Sequence, residues 1–166
     1  MRSAERAEVG RTSFFRIYGA KAGLLLEFNQ RLEVGAREAI AAQPSAGAIA
    51  RLQIVRQTLA AAWTATGPGL SEMLRAFLSE AGPALFSAAL DVPAHPGLLS
   101  LVAEIVEEGQ RTGEFESRLQ PDFLSWLIVT GLATATGQWV TGRNAASLEE
   151  ITDDVLEVLL RGMIRA

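Results

Sequence analysis

Cysteine is absent from the 166-residue chain, and histidine occurs once. The first absence excludes disulfides, zinc–thiolate sites and cysteine nucleophiles. The second excludes a cluster of histidine metal ligands. The lone His95 sits in Val92-Pro93-Ala94-His95-Pro96-Gly97, where two prolines favour an irregular surface loop over a catalytic base. No serine lies in a Gly-x-Ser-x-Gly elbow, and no glycine-rich loop is followed by a phosphate-binding lysine. The paired acids Glu107-Glu108 and Asp153-Asp154 are adjacent in sequence, so each pair diverges around its helix instead of converging on a metal or substrate. Glu104 and Glu108 share a helix face, which reads as solvated. No catalytic residue, metal site or cofactor is therefore expected, and the chain is not read as an enzyme.

Charge is also modest. Charged residues make up 20% of the chain and apolar ones 49%, a balance that favours a folded domain over disorder. A chain of this length buries roughly 70% of its unfolded surface and needs no covalent staple. The charge is uneven. Residues 1–21 carry Arg2, Arg6, Arg11, Arg16 and Lys21 against Glu5 and Glu8, whereas the remainder holds ten bases and seventeen acids. A basic head on an acidic body suggests contact with a polyanion at one end. The charged start, MRSAERAEVG, lacks the apolar stretch of a signal peptide, so a cytoplasmic location is expected. Residues 123–142 hold no charge and are long enough to span a bilayer. Their serines, threonines and glutamine, and the absence of a basic cluster on one flank, favour a helix buried in protein. No membrane association is expected.

Helical periodicity dominates the pattern. Short helices are predicted over Ser3–Glu8 and Arg11–Tyr18, then a long one from Lys21 to Ala42 with Leu24, Leu25, Phe28, Leu32, Ala36 and Ile40 on its apolar face. Pro44 ends it. A helix over Ala46–Thr66 follows, stopped by Gly67-Pro68-Gly69. A shorter one over Leu70–Glu80 precedes an irregular, proline-bearing stretch over 81–97. The next runs from Leu98 to Arg111 and stops at Gly113. Pro121 and Asp122 suit the first turn of the uncharged helix, which should end near Gly142. Its small residues Gly131, Ala133, Ala135 and Gly137 allow close approach of a neighbouring helix. Ser147-Leu148-Glu149-Glu150 is a capping box for the last helix, to about Arg165. That helix has two apolar stripes, Leu148, Ile151, Val155 and Val158, then Leu156, Leu159, Leu160 and Met163. Two stripes imply two packing partners: the protein's own core and a second copy of the chain. The fold expected is all-α, with about eight helices.

Residues 4–25, AERAEVGRTSFFRIYGAKAGLL, resemble the second half of the helix-turn-helix of the tetracycline-repressor (TetR) family of transcriptional regulators. The order is small residues and a valine (Ala7-Glu8-Val9), a small polar stretch with threonine (Gly10-Arg11-Thr12-Ser13), two aromatics (Phe14-Phe15), a basic-aromatic run (Arg16-Ile17-Tyr18), then Gly19-Ala20-Lys21. The Gly113-Glu114-Phe115 run and Pro121-Asp122 are also of familiar type. Glu8 stands where the family has its turn glycine, and Ile17 where it often has histidine or tyrosine. The resemblance implies a partial helix-turn-helix head over 1–21, with a first helix and most of a second expected before residue 1, on a helical ligand-binding and dimerisation body over 22–166. It also implies that DNA is contacted by Arg11, Thr12, Phe15, Arg16 and Lys21. Arginines on such a helix suit guanine edges and phosphates, and Phe14 and Tyr18, four apart, suit anchoring to the body.

For the body the resemblance implies a homodimer through the last two helices, residues 121–142 and 147–165, and a pocket for a small molecule. Trp63, Met73, Phe77, Phe86, Trp126 and Thr130 are the residues expected to line it, since pockets are built from aromatic and soft side chains with a few polar ones. No charge is expected in the buried middle of a helix, which points to a small apolar effector. The function expected is that of a ligand-responsive DNA-binding regulator, a repressor. The alternative is a dimeric helical small-molecule-binding or protein-interaction module without DNA contact.

Overall fold

The structure, a computed structural model, describes residues 23, 27–66, 69, 71–72, 75, 96–116 and 118–164. Five helices run through the described residues: α1 (27–41), α2 (Ala48–Ala65), α3 (Pro96–Thr112), α4 (Pro121–Val140) and α5 (Leu148–Met163). No strand occurs among them; one isolated antiparallel bridge joins Phe115 to Ile164. The expected all-α class is observed. The basic head, residues 1–21, and the two short helices expected in it lie outside the described residues. So does most of the helix expected over 70–80, of which residues 71, 72 and 75 are described and helical.

Local chemistry sets the boundaries. In α5 the Glu150 N–H donates to Ser147 Oγ (3.2 Å) and the Ser147 N–H to Glu150 Oε2 (2.8 Å), completing the expected capping box. α4 begins with Pro121 and Asp122 in its first turn. α3 starts two residues earlier than expected, at Pro96, because proline is well tolerated in a first helical turn. It ends at Gly113, whose φ of +82° only glycine adopts without strain. α2 is capped from a distance. Gly47 offers no side chain, and the Glu114 carboxylate accepts from the Ala48 N–H (3.0 Å) and the Ile49 N–H (3.3 Å).

Ahead of that cap, Gly109 lets the 113–116 turn fold back onto α2 and α3. A β-carbon on Gly109 would lie 2.3 Å from the Phe115 ring and 2.8 Å from Ala48 Cβ. Phe115 is buried there, and the Glu116 N–H donates to Met163 O (2.8 Å), tying the turn to the end of α5.

α4 packs between α3 and α5, and α2 packs on α3 and α5. Their shared core includes Leu52 and Val55 of α2, Val102 and Val106 of α3, Ile128 and Leu132 of α4, and Leu156 of α5. From α1, Leu32 and Ala36 enter the core and Phe28 and Ile40 lie at its margin, as the spacing predicts. α4 is long and apolar enough to cross a membrane by length and composition. In this structure it is instead the middle helix of the bundle, with Leu124, Ile128 and Leu132 buried against protein.

Candidate functional site

The two faces of α5 settle which stripe meets the core. Leu148, Thr152, Leu156, Leu160 and Met163 are buried. Leu148, grouped by the sequence with Ile151, Val155 and Val158, therefore packs inward with Leu156 and Leu160. Ile151 and Val155 are half-buried, and Val158 is 69% exposed. On α4 the matching outer side carries Phe123, 49% exposed, and Trp126, with ring centroids 6.3 Å apart and nearly parallel. Between these two outer faces runs an open apolar groove of about 390 Å³. Trp126, Leu127, Thr130 and Thr134 line it from α4, and Ile151 and Val155 from α5.

Gly131 forms part of the floor of this groove. A β-carbon there would sit 3.1 Å from Val155 Cγ1 and 3.5 Å from Leu159 Cδ1. The neighbouring helix that this small residue admits is therefore α5 of the same chain.

Of the expected ligand-lining residues, the structure brings Trp126 and Thr130 together in this groove. Trp63 is not part of the lining. It is buried on α2 with its ring centroid 4.6 Å from that of Phe28 on α1. Met73, Phe77 and Phe86 lie outside the described residues, as do Arg11, Thr12, Phe15, Arg16, Lys21 and His95.

Charged groups are organised by helix contacts. Arg37 of α1 donates through Nη1 and Nη2 to the two carboxylate oxygens of Glu104 on α3 (2.9 and 3.0 Å), and through Nε to Glu33 (2.9 Å). The Arg37 guanidinium holds the Glu104 carboxyl below the ordinary carboxylate range, and Arg37 itself is shifted upward by hydrogen bonds to Glu104 and Glu33. Glu108 is lowered by its hydrogen bonds to Arg111, and Glu150 by the Ser147 N–H and hydroxyl. Arg75 donates through Nε and Nη2 to Val140 O (2.9 and 2.8 Å), capping the C-terminus of α4.

One expectation is corrected. A buried cation does occur in mid-helix: Arg56 of α2 is 4% exposed. It is tolerated because its Nε meets Gln53 Oε1 (2.8 Å) and Asp153 Oδ1 (3.2 Å), and its Nη1 donates to Glu149 O (3.2 Å). These contacts tie α2 to the first two turns of α5. A sequence signal existed, since Arg56 follows Leu52 by four and shares its buried side, but its partners lie about ninety residues on. No group of three or more His, Asp or Glu side chains converges among the described residues.

Residues 95–162 match the family model described as the C-terminal region of YsiA-like proteins, a TetR type. That span contains α4, α5, the groove between them and nearly all of α3. No curated protein matches the chain. A solved structure of a protein of unknown function from Rhodococcus sp. RHA1 is similar in fold, with a TM-score of 0.62 at 16% identity. The similarity covers 87% of this chain and 72% of that one. Residues 95–162 thus form a YsiA-like C-terminal region of the TetR family.

Proposed function

We propose that the chain is a ligand-responsive, DNA-binding transcriptional regulator whose body forms a homodimer through the outer faces of α4 and α5. The observation that carries this reading is the apolar surface running from Phe123 and Trp126 to Ile151, Val155 and Val158. It lies within the residues that match the TetR-type region. A monomer gains nothing from an exposed Phe123 and Val158 flanking a partly exposed Trp126, whereas a two-fold partner presenting the same face would desolvate them. Trp126 and Thr130 then belong to the pairing surface instead of the effector pocket. Trp63, with Met73, Phe77 and Phe86, remains the proposed lining for a small apolar effector.

Pairing serves DNA binding, because two heads held at a fixed spacing can meet two half-sites about one helical turn apart. An effector that favours one spacing shifts the population toward or away from the DNA-competent form. The head would supply Arg11, Thr12, Phe15, Arg16 and Lys21. No catalytic role is proposed, and the location proposed is cytoplasmic.

Fluorescence anisotropy with a pool of palindromic duplexes at two salt concentrations tests the reading. Binding that falls steeply as salt rises, and that Arg11→Ala with Arg16→Ala weakens at least tenfold, supports it. Absence of binding to any duplex favours the module without DNA contact.

A further inference from the structure

Helices α1, α2 and α3 meet around a second recess of about 210 Å³, which shares no lining residue with the groove at Trp126. Ile40 of α1 and Leu101 and Ile105 of α3 give it an apolar wall, and Arg37, Arg51 and Glu104 supply its charges. The two arginines differ. Arg37 is fully engaged, with Nε on Glu33 and both terminal nitrogens on Glu104. Arg51 carries a buried Nε that finds no acceptor among the described residues.

The acids around it are already committed. Glu104 gives both oxygens to Arg37. Glu108, close enough to feel the Arg51 charge, gives both of its oxygens to Arg111 (2.9 and 2.7 Å). A buried guanidinium donor without a partner is costly and uncommon. The Arg51 side chain also lines an open recess that a ligand can enter.

We propose that this recess binds a short aliphatic monocarboxylate, with the carboxylate on Arg51 and the tail against Ile40, Leu101 and Ile105. A guanidinium suits this headgroup because its planar donors match two carboxylate oxygens. The recess equals about seven water volumes, room for a tail of about four to six carbons. Arg37 is already matched by Glu104 and Glu33, which leaves Arg51 as the cation of the recess lining open to an anion. The inference stands apart from the regulatory reading: it succeeds or fails whatever the chain does with DNA.

Hexanoate and its uncharged counterpart hexanol are the probes, titrated into the full chain and followed by amide chemical shifts in ¹H–¹⁵N NMR. Saturable shifts are expected at Ile40, Arg51, Leu101 and Ile105, with hexanol at least tenfold weaker. In Arg51→Gln, hexanoate binding should weaken at least tenfold. Equal binding of hexanol, shifts centred on Trp126 and Val155, or undiminished affinity in Arg51→Gln would each overturn the proposal. Should Arg51→Gln fail to fold, the comparison of the two probes on the unaltered chain decides alone.

Discussion

Glu114 is a small residue-scale device with a long reach. It closes a turn after α3, yet its carboxylate serves the first N–H groups of α2, 66 residues earlier. Glu114→Ala should lower stability by about 1–2 kcal/mol, the usual worth of a helix N-cap, measured as a reduced urea midpoint with an unchanged slope. Gly109 is stricter. Any side chain there meets the Phe115 ring and Ala48 at impossible distances, so Gly109→Ala should cost roughly 2–3 kcal/mol through overpacking. Thermal unfolding followed by circular dichroism checks this, and an unchanged midpoint would refute the packing described. The Gly113-Glu114-Phe115 run was visible in the sequence as a helix stop and a familiar motif. What Glu114 caps was not, because a capping carboxylate leaves no local pattern when its helix lies far away in the chain.

The elements themselves were legible. Periodicity placed the described helices to within a few residues, and the capping box, Pro121 and Gly113 marked their ends. What periodicity could not supply was the outcome of competition between faces. Leu148 fits either stripe of α5 by spacing, and packing alone sends it inward. Arginines were misread for a related reason, since an Arg among leucines looks like a solvated interruption until a partner such as Asp153 arrives.

The Arg37–Glu104 contact joins α1 to α3 and gives a pH dependence with a definite sign. Glu104 sits below its ordinary value when folded. Its contribution is present above the unfolded glutamate value of about 4.3, and is lost as pH falls through the lowered folded one. Both side chains are substantially exposed, 40% and 56%, so the effect should not exceed about 1 kcal/mol. Urea midpoints at pH 6 and pH 3 should differ less in Glu104→Gln than in the unaltered chain. Added salt should narrow that difference.

At the scale of the whole molecule, the bundle keeps one side apolar and open. Two apolar stripes on α5 and the small residues of α4 led to the expectation of a pairing surface; the stripe of Leu156, Leu160 and Met163 packs inward, so the proposed surface falls on Ile151, Val155 and Val158. Which α4 residues share that surface emerged only when the turn angle of each helix was fixed by its buried side. Trp126 and Thr130 fall on it, and Trp63 does not. Gly131 contacts α5 of its own chain, so enlarging it would test folding and pairing together. Val158, mostly exposed, separates the two. Sedimentation equilibrium of the unaltered chain and of Val158→Asp, with circular dichroism on both, is the most direct measurement. A mass of twice 17.8 kDa falling to the single-chain value in Val158→Asp, with helix content unchanged, is the predicted result. A single-chain mass for the unaltered protein, or a dimer indifferent to an aspartate at 158, would contradict the account.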